Sequence, residues 1–237
     1  MRLQDSVVLI TGASRGLGLE VARAYAGRGA KLVLAARGGD ALEAAAQELR
    51  RTTEVVAIVA DVSEEAERIV SEGLRRFGRI DVLVNNASEL GPSPMPPLEQ
   101  YAWRDLERVL RVNVLAPLHL AQLVLPGMRE RSAGIIINVS SDAGVEAYPG
   151  WGGYGASKAA LEHLSRTLGE ELKGSGVRVY VVDPGDMNTE MHRLAEPGVD
   201  LSGLPGPAAA TPAFVRLVDD ERAAFARVQA QSDTVAI

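Results

Sequence analysis

Cysteine is absent from the 237 residues, which excludes disulfides, thiolate nucleophiles and cysteine-ligated zinc together. Histidine is scarce as well. His119, His163 and His192 are scattered without a metal-ligand spacing, so no metal site is expected. Basic charge is not in excess either: the net charge is −6 at pH 7. No basic stripe stands out against it, and a nucleic-acid partner is not expected. No apolar run approaches the length of a membrane span, and Met1-Arg2-Leu3-Gln4-Asp5 does not read as a signal segment. The expectation is a cytoplasmic protein with no membrane partner. Lysine is the last scarcity, with only Lys31, Lys158 and Lys173 set against 22 arginines. A chain that meets its surface charge with arginine has kept a compact ammonium, whose pKa shifts readily, at position 158.

What is present is an alternation. Val7 to Ile10 is a short β-branched apolar run, read as a strand buried on both faces. Thr11-Gly12-Ala13-Ser14-Arg15-Gly16-Leu17-Gly18 follows it, and then an alanine-rich helix to about Arg28. A glycine-rich turn between a buried strand and a helix N-terminus offers backbone N–H groups and a helix dipole to a phosphate. The pattern repeats as strand 31–35, helix 40–51, strand 55–60, helix 63–77 and strand 80–84. Strands alternating with helices imply a parallel sheet covered on both faces, and right-handed crossovers give a doubly wound, dinucleotide-binding α/β layout. One domain over 1–237 is expected, since no linker or internal repeat divides the chain.

The end of the second strand selects the dinucleotide. A carboxylate there would bond the adenine ribose, but the strand ends Ala35-Ala36-Arg37. Arg37 and Arg15 offer two guanidiniums to a 2′-phosphate, which favours NADP(H) over NAD(H). Asp61-Val62 stands where an adenine edge would lie. The fourth strand runs into Asn85-Asn86-Ala87-Ser88 and a four-proline loop at 89–97, and a long helix is expected over 99–130. Within it, Pro117 has no N–H to give to the Asn113 carbonyl. The fifth strand, 135–139, ends at Ser140-Ser141, a helix is expected over 154–173, and the sixth strand, 177–182, leads into Asp183-Pro184-Gly185-Asp186-Met187-Asn188-Thr189. Residues 188–212, rich in Pro, Gly and Ala, read as a lid over the pocket. Residues 225–231 fit a last edge strand or more helix, and periodicity does not choose.

On the helix over 154–173, Tyr154 and Lys158 are four residues apart and share a face. A phenol beside an ammonium is a candidate acid/base pair, because the positive charge favours phenolate and draws the tyrosine pKa down.

Together, Thr11-Gly12-x-x-x-Gly16-x-Gly18, Asn85-Asn86-Ala87, Ser141, Tyr154-x-x-x-Lys158 and Pro184-Gly185-x-x-x-Thr189 resemble the short-chain dehydrogenase/reductase family, over about residues 5–190. The resemblance implies a Rossmann fold with a mostly parallel sheet of six or seven strands. It implies an oxidoreductase interconverting a small-molecule carbonyl and an alcohol, with Tyr154 as acid/base and Ser141 polarising the substrate oxygen. Lys158 would tune Tyr154 and bind the nicotinamide ribose, and the Asn113 carbonyl would hold a water that joins Lys158 to solvent. Gly12, Ser14, Arg15, Gly16, Leu17 and Gly18 would cradle the phosphates, with Asn85 and Ala87 on the adenosine side. Pro184, Gly185, Met187 and Thr189 would fix the carboxamide. It further implies a homodimer, with a homotetramer as the alternative. Two departures are Ser88, where the family commonly has glycine, and the missing Asp-Gly-Gly near the C-terminus. A catalytically silent NADP(H)-binding regulator is the competing reading. The substrate walls are expected from 88–98, 146–151 (with Glu146, Tyr148 and Trp151) and the lid.

Overall fold

The chain is described by a computed structural model over residues 1–219, 224–231 and 234–236. The strands are β1 (Val7–Thr11), β2 (Lys31–Ala36), β3 (Val55–Val59), β4 (Val82–Asn85), β5 (Gly134–Val139), β6 (Val177–Asp183), β7 (Phe225–Gln229) and β8 (Thr234–Ala236). The helices are α1 (Gly16–Ala26), α2 (Gly39–Leu49), α3 (Ala66–Phe77), α4 (Trp103–Leu110), α5 (Ala116–Glu130), α6 (Gly152–Glu171), α7 (Glu190–Ala195) and α8 (Thr211–Asp219). They build the expected doubly wound Rossmann sheet, in the order β3-β2-β1-β4-β5-β6-β7-β8. Seven strands are parallel, and β8 adds an antiparallel edge beyond the six or seven expected. The single domain expected over 1–237 includes 220–223, 232–233 and 237, which lie outside the described residues.

Every residue of β1, β4 and β5 is buried, as a sheet covered on both faces requires. One core layer packs Val21, Tyr25 and Phe214 over Val8, Ile10 and Leu34. The other packs Ile69, Leu120 and Val124 over Leu9, Val33 and Ile136. Between β1 and β4 the strand order reverses, and in such sheets ligands settle outside the carboxyl ends at that crevice. Thr11 closes the floor of the crevice. Its hydroxyl accepts from the N–H of Asn86 and of Ala87, both at 3.0 Å, and so fixes the turn after β4.

Several boundaries differ from the sequence reading, each for a local reason. The helix expected from 63 starts at Ala66, because the Asp61 carboxylate accepts from the Ser63 N–H at 2.9 Å and its hydroxyl at 2.7 Å, forming a turn. The helix expected over 99–130 begins at Trp103 and is interrupted by a π turn over Arg111–Leu115. Pro117, which has no N–H for the Asn113 carbonyl, therefore accompanies a change of helical pitch. The helix expected from 154 starts at Gly152. Residues 225–229 are a strand because the edge of β6 from Val179 to Asp183 needs backbone partners, a demand that periodicity cannot register.

The stretch Trp103–Glu130 is long and apolar enough to cross a membrane by length and composition. Here its apolar face, including Ala116, Leu120, Ala121 and Val124, lies in the core beneath the sheet.

Candidate active site

Tyr154 and Lys158 lie in the first turns of α6, at the carboxyl edge of the sheet. Lys158 is 2% exposed, and its Nζ donates to the Val139 carbonyl at 2.8 Å, at the end of β5. The same Nζ lies 5.4 Å from the centre of the Tyr154 ring. Burial lowers the Lys158 ammonium to about 8, while the Glu162 charge pulls it back up. The Tyr154 phenol is raised above its ordinary value, chiefly by burial. Asp183 and Asp142 push the same way, whereas the Ser88 and Ser141 hydroxyls pull down. Among the influences on the phenol, burial is the largest and outweighs the rest. Desolvation of the charged form dominates at a fully enclosed ring.

Ser141 follows β5 and begins a short 3₁₀ turn, Asp142–Gly144. α6 comes very close to this turn, because a Cβ on Gly155 would stand 2.5 Å from the Ala143 carbonyl oxygen. The approach sets Tyr154 on the same cavity as Ser141 and its hydroxyl. That hydroxyl also donates to Asp142 Oδ1 at 2.9 Å, and Tyr148 Oη donates to Asp142 Oδ2 at 2.9 Å.

Asn113 sits in the π turn with every polar atom of its side chain used. Its Oδ1 accepts from the Glu89 N–H at 2.7 Å and the Ser88 hydroxyl at 3.2 Å. Its Nδ2 donates to the Glu89 carbonyl at 2.8 Å and to Ser157 Oγ at 2.9 Å. Ser157 in turn donates to the Tyr154 carbonyl at 2.6 Å. The Asn113 side chain therefore reaches the Tyr154 backbone through Ser157.

Ser141 and Tyr154, but not Asn113 or Lys158, line a cavity of about 110 Å³ together with Trp151, Asp183, Met187 and Thr189, among others. Of the substrate walls expected, Leu90, Trp151 and Met191 line it, and Tyr148 and Glu146 do not.

The glycine turn after β1 leads into α1. Arg15, which caps α1, makes no side-chain cap bond there, and the first turn of α1 holds no acid, so its N–H groups are open to an anion. Gly16, at φ +56°, has nothing within 4 Å of where a Cβ would stand. This open cradle fits a dinucleotide pyrophosphate.

The sequence pattern of the short chain dehydrogenase family matches residues 6–199. This chain belongs to the short-chain dehydrogenase family. An uncharacterized oxidoreductase from Thermotoga maritima is 37% identical over 195 residues, covering 80% of this chain and 75% of that protein. A short-chain dehydrogenase from Streptomyces avermitilis is 30% identical with a TM-score of 0.82, covering 95% of this chain and 89% of that one. A short chain dehydrogenase from Shigella flexneri, complexed with NADP, is 28% identical with a TM-score of 0.86 over 96% of this chain and 98% of that one. An NAD+-bound xylitol dehydrogenase is 26% identical, also at a TM-score of 0.86, over 97% and 98%. The chain is accordingly an oxidoreductase of a family that uses NAD or NADP.

In this short-chain dehydrogenase the remaining sequence-derived site residues fall into distinct settings. Arg15 and Arg37 are held by different acids. Arg15 pairs with Glu190 at 2.5 Å, and Arg37 reaches Glu89 at 3.7 Å and Asp61 at 4.0 Å. Burial raises the Asp61 carboxyl, but bonds from Ser63 and the charge of Arg37 leave it below its ordinary value. Leu17 and Val62 are buried in the two core layers, so their side chains pack the fold. Ser14 is half-buried in the glycine turn. Gly12 and Gly18 allow close packing on Asn86, which donates to the carbonyls of Thr11 at 2.9 Å and Gly12 at 3.1 Å. Asn85 donates to Asn138 Oδ1 at 2.8 Å, leaving its own buried Oδ1 without a protein partner, and Ala87 packs on the core. Pro184 and Asp186 accept from Gln231 at 3.0 and 2.9 Å through their carbonyls, which steadies the turn around Gly185. The Met187 carbonyl lies 3.2 Å from His192 Nδ1, and Thr189 Oγ1 caps α7 by accepting from the His192 N–H at 3.2 Å. Its hydroxyl hydrogen stays available to a ligand.

The sequence reading missed a buried ionic group behind the site. Arg227 on β7 donates to both Glu162 oxygens at 3.1 Å and to Asp183 at 3.4 Å, and Ser140 donates to Glu162 at 2.6 Å. Burial raises the Asp183 carboxyl, with the Gly185 N–H and Arg227 opposing. Asp183, directly before Pro184-Gly185, was legible as a strand-edge acid. Its partner comes from a strand whose neighbour the sequence does not disclose.

Proposed function

We propose that this oxidoreductase interconverts a carbonyl and a secondary alcohol on a small molecule, with NADP(H) and with Tyr154 as the acid/base. The observation that carries the reading is the meeting of the Tyr154 phenol and the Ser141 hydroxyl at one cavity, over a buried Lys158.

In reduction, Tyr154 gives its proton to the carbonyl oxygen, and in oxidation the phenolate takes the proton from the alcohol. Ser141 holds that oxygen by turning its hydrogen from Asp142 to the substrate, which localises negative charge where a donor is already placed. Lys158, held by the Val139 carbonyl, keeps a positive charge below the ring and offers further donors to a ribose. NADP(H), when bound, supplies or receives the hydride. The α1 turn from Gly12 to Gly18 would hold its phosphates and Arg37 its 2′-phosphate. Asp61, Val62, Asn85 and Ala87 would line the adenosine. Lys158, Pro184, Gly185, Met187 and Thr189 would position the nicotinamide end. The preference for the phosphorylated dinucleotide is supported by Arg37, 64% exposed at its side chain and only loosely paired, and by the lack of an acid at the end of β2. Residues 188–212, which include α7, act as the lid. A homodimer is supported by the exposed Trp103 and Leu115 on one helical stretch, and a monomer mass in sedimentation equilibrium would count against it.

The decisive experiment follows reduced-dinucleotide absorbance while aldehydes, ketones and secondary alcohols are offered to wild type and Tyr154→Phe. Wild type turns over at least one of them, and Tyr154→Phe is slower by about 100-fold or more. Equal turnover by both would remove Tyr154 from the chemistry. Since none of Asn113, Ser141, Tyr154 and Lys158 is replaced, a catalytically silent regulator is not favoured.

A further inference from the structure

The cavity that Tyr154 and Ser141 share is lined by three acids, Asp142, Asp183 and Asp186, and by no lysine or arginine among the described residues. Asp142 and Asp186 are exposed, and solvent screens them. Asp183, at the end of β6, is 4% exposed. A buried carboxylate on this wall acts differently on the two forms of a dinucleotide, whose nicotinamide ring is positively charged when oxidised and neutral when reduced. We infer that Asp183 is a specificity-determining residue, a fixed negative charge that shifts the preference of the site toward the oxidised dinucleotide. The inference rests on the reading of this cavity as the place of hydride transfer.

Two donors keep the carboxylate charged. Asp183 Oδ1 accepts from the Gly185 N–H at 3.0 Å and Oδ2 from Arg227 Nη2 at 3.4 Å, so neither bond offers an acceptor for the hydrogen of the acid form. Arg227 offsets only part of that charge. It lies nearer to Glu162, donating to both of its oxygens at 3.1 Å. Lys158 is the other buried cation of this region, but its ammonium donates to the Val139 carbonyl at 2.8 Å and the residue does not line the cavity. At the wall itself the buried charge is that of Asp183.

The place of the ring follows from the chemistry. A hydride passes only between atoms in contact, and Tyr154 and Ser141 hold the oxygen of the reacting carbon at this cavity, so the nicotinamide enters it as well. Asp183, Pro184 and Gly185 all line that cavity. A positive ring gains from a buried carboxylate that water screens poorly, and a neutral ring does not. The turn that carries the charge is pinned from behind. The Asp183 carbonyl accepts from the Ala230 N–H at 2.8 Å, and Gln231 Nε2 donates to the carbonyls of Pro184 at 3.0 Å and Asp186 at 2.9 Å. A firmer hold on the oxidised form moves the equilibrium on the protein toward alcohol and oxidised dinucleotide, so Asp183 favours carbonyl reduction.

The test measures dissociation constants and needs no turnover. NADP+, NADPH, NAD+ and NADH are titrated by calorimetry against wild type, Asp183→Asn and Asp186→Asn at one pH slightly above neutrality. Within each pair the two forms differ at the nicotinamide alone, so changes in folding or in the phosphate cradle cancel in the ratio of their constants. Asparagine keeps an acceptor for the Gly185 N–H and loses the charge. In Asp183→Asn the preference for the oxidised form falls by about tenfold in each pair that binds. Asp186→Asn, at an exposed acid of the same wall, moves the ratio by less than about twofold. An unchanged ratio in Asp183→Asn would overturn the inference, as would an equal fall in Asp186→Asn. Should Asp183→Asn fold poorly, Asp183→Ser, whose hydroxyl also accepts from the N–H two residues on, decides by the same criterion. The outcome is separable from the functional reading. Firm binding with an unmoved ratio removes only the role of Asp183, whereas wild type that binds none of the four removes the dinucleotide reading and the inference with it.

Discussion

At the scale of single residues, environment outweighs identity. Tyr154 and Lys158 were legible as a pair from their spacing, and the direction of their ionisation was not. A lysine four residues away suggests a lowered phenol, yet enclosure raises it and lowers the ammonium to about 8. Arg37 shows the converse. Its place after β2 was readable, and its exposed, loosely held guanidinium is free to turn to a phosphate. Arg37→Asp is expected to weaken NADPH binding by about tenfold or more while leaving NADH binding level or tighter. Fluorescence titration of both dinucleotides measures this, and tighter NADH than NADPH binding by wild type would overturn the NADP(H) preference.

At the scale of elements, the site depends on how closely α6 lies against the turn that carries Ser141. The glycine run before and within α6 was visible in the sequence, but its purpose appears only in the contact between Gly155 and the Ala143 carbonyl. In Gly155→Ala the added methyl group, 2.5 Å from that oxygen, must part helix and turn. The expected cost is about 1–3 kcal/mol of stability, with a fall in kcat larger than any change in KM, because Ser141 and Tyr154 separate. Urea denaturation and steady-state kinetics report the two effects, and unchanged values of both would show that the helix yields without strain. The π turn at 111–115 is a second such element. Pro117 flagged an irregularity, while the side-chain bonds that make Asn113 useful come from Glu89 and Ser157, distant in sequence.

At the scale of the molecule, buried phenols couple stability to alkaline pH. Tyr25 is fully buried with its hydroxyl donating to the Phe214 carbonyl at 3.0 Å, and burial raises it, as it does Tyr154. A raised folded-state value means that the unfolded chain loses its proton first. The stabilising contribution is whole below the ordinary value of 10.0 and is lost as pH rises beyond it, at about 1.4 kcal/mol per pH unit for each phenol. Lys158 acts with the opposite sign between about 8 and its ordinary 10.5, and adds nothing above that. Tyr25→Phe is therefore expected to lose about 1 kcal/mol at neutral pH, from the missing hydrogen bond, yet to show a shallower fall above pH 10.5. Urea midpoints across that range test it, and parallel curves for the two proteins would contradict it.

Local pattern by itself determined the alternation of strands and helices, the glycine turn before α1 and the spacing of Tyr154 and Lys158. Each depends on residues within a few positions of one another, where periodicity and backbone geometry act directly. Tertiary structure decided the placement of β7, the ionic group of Glu162, Arg227 and Asp183, and the bonds that Asn113 makes to Ser88, Glu89 and Ser157. Those depend on which strand lies beside which and on how far water is excluded, and both are settled only when the whole sheet and its helices close over the site.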